Sequence, residues 1–328
     1  MDLNGKTLLV TGGTGSFGNK FIEHLLADFS VKRIVIYSRD ELKQFEQAAV
    51  FDDARLDYVI GDVRDRERLK TAMNGVDLVV HAAAMKQVVA SERNPSECIR
   101  TNVGGAENVI EAALANRVQR VVALSTDKAV NPINLYGATK LCSDKLFINA
   151  NRRSPDTRFS VVRYGNVIGS RGSVVPFFRA RRASGKLPIT DERMTRFWIS
   201  LHQGVRFVSH CMSIMHGGEV FVSKIPSMRI VDLATAIAPE CEQVLIGIRP
   251  GEKLHEVMVP VDEARRTREF GKFFVIAPDE GSGTAPAALS YDGEAGQAVA
   301  EDFEYSSHTN PHWVSVEELR RIVPDQPE

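Results

Sequence analysis

Cysteine is scarce in this chain, and the few present stand apart. Cys98, Cys142, Cys211 and Cys241 form no CxxC pair. That spacing argues against a disulfide framework or a cysteine-based zinc site and fits a reducing, cytoplasmic setting. Histidine patterns that would hold a metal are missing too. His308 and His312 lie close together, but they flank Asn310-Pro311, which breaks a helix. His210 and His216 lack acidic or cysteine partners at ligand spacing, so no metal is expected. Net charge is almost absent: Lys+Arg 41 against Asp+Glu 42 leaves −1. No nucleic-acid partner and no anionic membrane surface is expected from that balance, and only a local basic pocket stays open. No run of about 18 apolar residues occurs, so no membrane span is expected. The opening residues Met1 to Lys6 carry no signal-peptide core.

What is present is ordinary for a soluble globular protein: 43% hydrophobic and 25% charged residues over 328 positions. At about 150 residues per domain this makes two units, or one large α/β domain with an appendage. The first half alternates apolar runs with helical spacing. Strands are predicted over Lys6–Thr11, Arg33–Tyr37, Leu56–Ile60, Asp77–His81, Val121–Ser125 and Phe159–Arg163. Helices are predicted over Ser16–Phe29, Asp40–Val50, Arg66–Met73, much of Pro95–Asn116, and Leu135–Ala150. That rhythm implies right-handed βαβ units. The expected fold class is α/β: a Rossmann-type doubly wound parallel sheet with a smaller α/β C-terminal substrate-binding region. The division falls at 1–166 for the dinucleotide-binding domain, with parts of 200–225 returning to it, and 167–328 for the substrate region. The segment 278–296, rich in Gly, Ala, Ser and Pro, reads as a loop or a poorly ordered stretch, and 169–172 reads as a loop. The smaller region should cover the C-terminal ends of the strands, where such sheets bind ligands.

The first strand ends in Thr11-Gly12-Gly13-Thr14-Gly15-Ser16-Phe17-Gly18. Gly12, Gly15 and Gly18 follow GxxGxxG, a variant of the dinucleotide fingerprint. Glycine there allows a tight turn and close approach of backbone to a pyrophosphate, and the helix N-terminus offers free N–H groups. After the second strand come Ser38, Arg39, Asp40, Glu41 and Lys43. No acid directly ends that strand to hold a ribose 2′-hydroxyl, while Arg39 and Lys43 are available for a 2′-phosphate. The cofactor reading is therefore NADP. The plainer alternative makes Ser38 and Glu41 a capping box with the basic residues solvated. Asp62 and Val63 follow the third strand, where an adenine would lie. Ala82 and Ala83 follow the fourth, where small side chains let a cofactor pass; tight packing alone explains them equally well.

Tyr136 and Lys140 form YxxxK at the start of the helix after the fifth strand. Positions four apart share a helix face. A lysine cation and a positive nicotinamide both favour the phenolate of a tyrosine that must take a hydroxyl proton. Just upstream, Thr126 would orient a substrate, and Asp127 and Lys128 add an acid and a base that a plain dehydrogenase does not need. The alternative is a surface ion pair at a strand end. As a base Lys128 must lose its charge, so its pKa must fall; Lys140 and the nicotinamide push that way and Asp127 opposes. As an acid Asp127 needs an apolar pocket to hold a proton.

Together these motifs resemble the extended short-chain dehydrogenase/reductases. The stretches SRDELKQ (38–44), GDVRD (61–65), HAAAMKQV (81–88), TNVGGAENVI (101–110), LSTDKAVNPINLYGATKL (124–141) and SDKLF (143–147) resemble the inverting UDP-N-acetylglucosamine 4,6-dehydratases, as do RYGNVIGSRGSVVPFF (163–178), MTRFWIS (194–200), IRPGEKLHE (248–256) and FEYSSHTN (303–310). Retaining dehydratases usually read Thr-Asp-Glu where this chain reads Thr126-Asp127-Lys128. Val89-Ala90 departs from the Pro-Ala expected there.

The resemblance implies a mechanism. Hydride moves from C4 of the hexose to NADP+, with Tyr136 as base and Lys140 holding ribose and phenolate. Lys128 then removes the C5 proton, Asp127 helps the C6 hydroxyl leave as water, and hydride returns to C6. Protonation of C5 from the opposite face inverts it, giving UDP-2-acetamido-2,6-dideoxy-β-L-arabino-hexos-4-ulose, a precursor of pseudaminic acid. The implied substrate contacts are Asn166, Lys86 (cofactor or diphosphate), Val174, Thr190, Arg196, Arg249 and Glu252. A surface or interdomain ion pair is the alternative for each of these late residues. The resemblance also implies a homo-oligomer, often a hexamer. A UDP-sugar 4-epimerase or a retaining dehydratase is the near rival, and a non-catalytic NADP(H)-binding regulator the remote one.

Overall fold

The computed structural model describes residues 2–169, 173–278 and 290–323. Six strands follow the apolar runs of the first half: β1 (Thr7–Thr11), β2 (Arg33–Ser38), β3 (Leu56–Ile60), β4 (Leu78–His81), β5 (Arg120–Thr126) and β6 (Arg158–Tyr164). Between them lie α1 (Ser16–Asp28), α2 (Glu41–Val50), α3 (Arg66–Ala72), α4 (Val88–Arg93), α5 (Pro95–Ile99), α6 (Gly105–Ala115) and α7 (Leu135–Ala150). The second half adds β7 (Asn166–Val167), α8 (Val174–Arg182), β8 (Lys186–Ile189), β9 (Thr195–Ile199), α9 (Leu201–Ile214), β10 (Val220–Ser223), β11 (Ser227–Arg229), α10 (Ile230–Ile237), β12 (Glu242–Leu245) and β13 (Val257–Val259). It ends with α11 (Val261–Ala264), β14 (Thr267–Glu269), β15 (Phe273–Ile276), β16 (Ser290–Tyr291), β17 (Glu294–Ala295), β18 (Gln297–Ala298), β19 (Tyr305–Ser306) and α12 (Val316–Ile322).

The main sheet runs β18-β14-β15-β10-β6-β5-β4-β1-β2-β3. From β3 to β10 every pairing is parallel. Strand order reverses at β1 and β4, so the ligand crevice opens at the C-terminal ends of those two strands. Helices cover both faces, which is why β1 and β4 are buried along their whole length. The edge strand β3 is only half-buried.

The return of β10 to the sheet falls inside the 200–225 range expected from sequence. The sheet goes further, because β15, β14 and β18 extend it as an antiparallel edge. The segment expected to be loop over 278–296 therefore needs correction in part. Residues 290–295 form the hairpin β16–β17, closed by pairing of Ser290 with Ala295. Residues 279–289, and 170–172 of the expected loop at 169–172, lie outside the described residues. The helix expected over Pro95–Asn116 is also interrupted, by a π turn at Arg100–Gly104 between α5 and α6. That wider turn aims Asn102 inward. Its amide donates to Met85 O (3.0 Å) and Thr139 Oγ1 (3.0 Å) and accepts from Met85 N (2.8 Å), tying the loop after β4 to α7.

A second hydrophobic core is built from Val175, Phe178, Leu187, Ile189, Leu233 and Leu319, contributed by α8, β8, α10 and α12. It joins the main sheet through β7, which continues from the end of β6 and pairs with β9. The smaller region is thereby held at the C-terminal end of β6, beside the ends of β5 and α7.

Candidate active site

The glycine loop has the form of a dinucleotide cradle. Gly12 sits at φ +67, and a Cβ there would come within 3.0 Å of the Ala83 backbone. The chain after β1 thus passes as close to the chain after β4 as glycine allows, which fits the expected roles of Ala82 and Ala83. Gly15 is the N-cap of α1 and makes no side-chain cap. The first N–H groups of α1 are left for an anion, as a pyrophosphate requires. Thr14 and Gly18 are buried in this turn, while Ser16 and Phe17 are half-buried, with the Phe17 ring stacked 5.4 Å from Phe21.

The end of β2 differs from the expected capping box. Asp40 caps α2, accepting from Lys43 N (3.1 Å). Ser38 closes β2 and its hydroxyl is taken by Gln44 Nε2 at 3.2 Å, so it cannot turn back to cap a helix. Lys43 pairs with the Asp40 carboxylate and is engaged within its own turn. Arg39 is two-thirds exposed and reaches no closer than 3.9 Å to Asp62. Asp62 is held more tightly by Arg64, at 2.6 Å. Of the two basic residues read for a 2′-phosphate, Arg39 is therefore the freer. Val63 is buried behind the loop, and Lys86 is exposed in the segment after β4.

The catalytic candidates converge where β5 ends. Thr126 closes the strand, and Asp127–Ala129 form one 3₁₀ turn. The Thr126 hydroxyl accepts from Lys128 N (3.3 Å) and donates to Asp127 Oδ1 (2.9 Å). Asp127 is fully buried, and its second oxygen, Oδ2, has no hydrogen-bond partner. The Lys128 ammonium donates to Asp127 Oδ1 (3.0 Å) and Asn166 Oδ1 (3.3 Å). It also lies 3.3 Å from Glu256 Oε1. Asn166 is thus a partner of Lys128, brought there by β7.

Helix α7 supplies the second set. Asn134 caps it, accepting from Gly137 N (2.8 Å), and its amide donates to Gly251 O (2.8 Å). A Cβ on Gly137 would lie 2.1 Å from Lys128 O, so only glycine lets α7 cross the turn holding Asp127 and Lys128. Tyr136 and Lys140 stand one turn apart on this helix, and Lys140 is buried. Burial pushes the Tyr136 phenol up to about 12, and the cation that opposes this is Lys128 rather than the expected Lys140. Burial lowers Lys140, against the pull of Asp144 beneath it.

Lys128 also departs from expectation. Burial lowers its pKa, but Asp127 and Glu256 outweigh burial and the net shift is upward, not downward. A second carboxylate is the reason. Glu256 is only 2% exposed and lies in IRPGEKLHE, a stretch prominent in the sequence in which this residue was not singled out. Its signal was an acid beside a histidine in a turn-rich segment, which alone says nothing about burial.

The late substrate candidates divide. Arg196 is buried, and its guanidinium donates to Thr195 O (2.7 Å), Lys253 O (3.0 Å) and Leu254 O (3.1 Å). Those bonds make it a clamp on the 249–256 segment, and the carboxylate it faces, Glu256 at 3.8 Å, belongs to the same C-terminal region, so the pair is not an interdomain one. Thr190 gives its hydroxyl to Met194 Sδ (3.0 Å). Val174 opens α8 against the second core. Arg249 is half-exposed and lies 3.7 Å from Glu252 Oε1, while Glu252 Oε2 is buried without a hydrogen-bond partner. Among the described residues no cluster of His, Cys, Asp and Glu could hold a metal, and no helix is long and apolar enough to cross a membrane.

A twisted parallel sheet with a glycine cradle and a Tyr–Lys helix defines a short-chain dehydrogenase/reductase-type enzyme. A family model described as polysaccharide biosynthesis protein matches residues 8–278. A relative from Campylobacter jejuni, named UDP-N-acetylglucosamine 4,6-dehydratase (inverting), is 56% identical over 98% of both chains. A UDP-glucose 4-epimerase from Rickettsia massiliae is 43% identical over 97% of this chain and 95% of its own. Among solved structures, Pen from Bacillus thuringiensis superposes with a TM-score of 0.90 at 35% identity, covering 98% of each chain. DesIV, a dTDP-glucose 4,6-dehydratase from Streptomyces venezuelae solved with NAD and TYD bound, matches at a TM-score of 0.68 and 26% identity over 76% of this chain and 86% of its own. The chain belongs to the polysaccharide biosynthesis protein family and, within it, to the family of the inverting UDP-N-acetylglucosamine 4,6-dehydratases.

Proposed function

We propose that this protein is a hydro-lyase that converts UDP-N-acetylglucosamine to UDP-2-acetamido-2,6-dideoxy-β-L-arabino-hexos-4-ulose, with NADP as its resident cofactor. The observation that carries the reading is the Asp127–Lys128 pair, 3.0 Å apart, with Asp127 fully buried and the pair set beside Tyr136 at the start of α7. A redox enzyme acting at C4 alone needs Tyr136 and Lys140. Loss of water across C5 and C6 needs an acid and a base besides.

The cradle of Gly12, Gly15 and Ala83 fits a dinucleotide, and the exposure of Arg39 supports its reading as the partner of a 2′-phosphate. A nicotinamide held there would supply the redox chemistry, taking a hydride from C4 and giving it back at C6. Tyr136 would accept the C4 hydroxyl proton, and a positive ring beside it would offset the burial that holds the phenol protonated. Lys140, one turn along α7, would hold the cofactor ribose and the phenolate. Lys128 takes the C5 proton made acidic by the neighbouring ketone. Asp127 gives a proton to the departing C6 hydroxyl, and its Oδ2 is engaged in no hydrogen bond within the protein. Protonation at C5 from the other face completes the inversion. Arg249 supports a diphosphate contact by its exposed fork, and Asn166, Lys86, Val174, Thr190 and Glu252 are kept as substrate contacts on the family resemblance alone.

The free thiols of Cys98, Cys142, Cys211 and Cys241 and a nucleotide-sugar substrate support a cytoplasmic enzyme. A hexamer and a first step toward pseudaminic acid rest on the family resemblance. The test is incubation with UDP-N-acetylglucosamine in deuterated water, followed by NMR. The expected product has a 6-methyl group, a C4 ketone and solvent deuterium at C5. Lys128→Ala should bind NADP and lose C5 exchange. A C4 epimer that keeps its 6-hydroxyl would establish the epimerase instead.

A further inference from the structure

We propose that Glu256 is a positioning residue for the elimination step, an anionic anchor that fixes the Lys128 amine and keeps one proton inside the Lys128–Asp127 pair. This rests on the dehydratase reading above. An ammonium has three N–H donors. The Lys128 group meets three acceptors: Asp127 Oδ1 at 3.0 Å, Asn166 Oδ1 at 3.3 Å and Glu256 Oε1 at 3.3 Å. Glu256 is not a loose counter-ion. It is buried, with Arg196 Nε 3.8 Å from Oε1 and Lys253 Nζ 3.9 Å from Oε2. Arg196 is itself bonded to three carbonyls, and Lys253 Nζ donates to Val130 O at 2.5 Å. The Glu256 backbone is held by Ser307, whose N–H donates to Glu256 O at 2.8 Å and whose hydroxyl accepts from Glu256 N at 2.9 Å, and Lys253 ties the same segment to Val130 just after the Asp127–Ala129 turn.

The chemistry explains why the pair needs it. At rest the proton sits on Lys128. Elimination needs a neutral amine and a protonated acid together. One internal transfer supplies both: Lys128–NH₃⁺ and Asp127–COO⁻ become Lys128–NH₂ and Asp127–COOH. The amine then takes the C5 proton, the acid gives its proton to the C6 hydroxyl, and water leaves. The pair ends with its proton back on Lys128, so no outside acid is consumed. One proton must stay in the pair throughout. The neutral amine keeps two N–H groups, which match Asn166 and Glu256 and orient its lone pair. Facing Lys128 are Asp127 on its own turn, Tyr136 on α7, Asn166 on β7, Arg196 on β9, and Lys253 and Glu256 before β13. The two cations favour loss of the proton and the two carboxylates favour keeping it.

The test compares Glu256→Gln with Glu256→Asp in the NADP-loaded full-length enzyme, reading kcat/KM for UDP-N-acetylglucosamine from about pH 6 to about pH 10.5. Glu256→Gln keeps the shape and removes the charge. Its alkaline limb should move down by about one pH unit, to the top of the measured range, where wild type stays flat. Glu256→Asp keeps the charge on a shorter stem, so its limb should stay while its rate drops about tenfold. Equal losses in both variants with an unmoved limb would reduce Glu256 to packing, and wild-type behaviour of Glu256→Gln would remove it from the reaction. If Glu256→Gln does not fold, lysine ζ-nitrogen NMR of the wild type decides, the Lys128 signal being identified by its loss in Lys128→Arg. Lys128 should stay charged at about pH 10.4, where free lysine is half neutral; a neutral Lys128 there refutes the anchor. Wild-type enzyme that leaves UDP-N-acetylglucosamine intact overturns the dehydratase reading beneath it, which is a different failure.

Discussion

The crossing of α7 over the Asp127–Ala129 turn offers a severe test, because one hydrogen atom on Gly137 separates two catalytic sets. Replacing Gly137 by Ala puts a methyl carbon 2.1 Å from Lys128 O, 3.0 Å from Lys128 C and 3.1 Å from Pro132 Cβ. The first two are backbone atoms and cannot swing aside. Relief requires helix and turn to part by about 1 Å, since packed interiors do not absorb such overlap. Tyr136 and Lys140 ride on the helix, and Asp127 and Lys128 on the turn, so the separation falls between oxidation and elimination groups. Misplacement of that size costs about 100-fold in rate. The stability effect is smaller. Overpacking costs about 1–3 kcal/mol, but Ala in place of Gly inside a helix returns about 1 kcal/mol. Product NMR, NADP titration and thermal unfolding separate these terms. Expected are a kcat lowered about 100-fold, NADP affinity within about threefold of wild type, and a Tm lower by no more than about 5 °C. A Gly137→Ala enzyme with kcat within about threefold of wild type would refute the crossing as the element that sets the two groups apart.

Three further outcomes follow from other parts of the site. Arg39→Ala should weaken NADP about tenfold and leave NAD nearly unchanged in equilibrium titrations, because Arg39 is the freer of the two cations proposed to meet a 2′-phosphate; equal weakening of both would reject that role. His81 is buried and its pKa is lowered from 6.5 to about 3, chiefly by burial and secondarily by Lys140. The unfolded chain binds the proton first, so stability held above about pH 6.5 should fall by about 1.4 kcal/mol per unit as pH drops toward 3, a slope absent in His81→Asn by denaturant unfolding. Lys128→Glu should not make a retaining enzyme. It sets a third carboxylate beside Asp127 and Glu256, so Tm should drop, and adding Glu256→Gln should restore folding without restoring C5 exchange.

The parallel half of the fold was legible because its strands are short β-branched runs between helices with clear apolar spacing. Six strands and five helical stretches stand within a residue or two of their expected positions, apart from the π turn inside the helix over 95–116. That turn is set by the bonds of Asn102 to Met85 and Thr139, contacts between distant segments that local spacing does not report. The antiparallel edge of β15, β14 and β18 escaped for a similar reason: strands of two to four residues carry little periodicity, and their pairing is fixed by the sheet they join. At the site, Tyr136, Lys140, Asp127 and Lys128 were readable from motif and order along the chain. Glu256 was not, since its burial and its 3.3 Å approach to Lys128 arise from Arg196 and Lys253 holding the segment down. The upward shift of Lys128 was missed with it. The expected Ser38–Glu41 cap failed because Gln44 occupies the Ser38 hydroxyl and leaves Asp40 to cap α2.

The charge cluster at the end of β5 also bears on the choice between dehydratase and epimerase. A 4-epimerase oxidises C4 and returns the hydride to C4, so it has no use for a base at C5 or an acid at C6. Asp127 and Glu256 are almost wholly buried, and Lys128 exposes a quarter of its side chain. Burying such groups costs several kcal/mol per ion before pairing, and apolar residues of the same volume often serve stability as well or better. A fold that spends two carboxylates, Lys128, Arg196 and Lys253 here gains little stability for them. The one substrate step that uses a proton donor and a proton acceptor 3.0 Å apart is loss of water next to the ketone. The arrangement is therefore best explained by elimination, with Tyr136 and Lys140 proposed to serve the hydride transfer from C4 to the nicotinamide cofactor that creates the ketone.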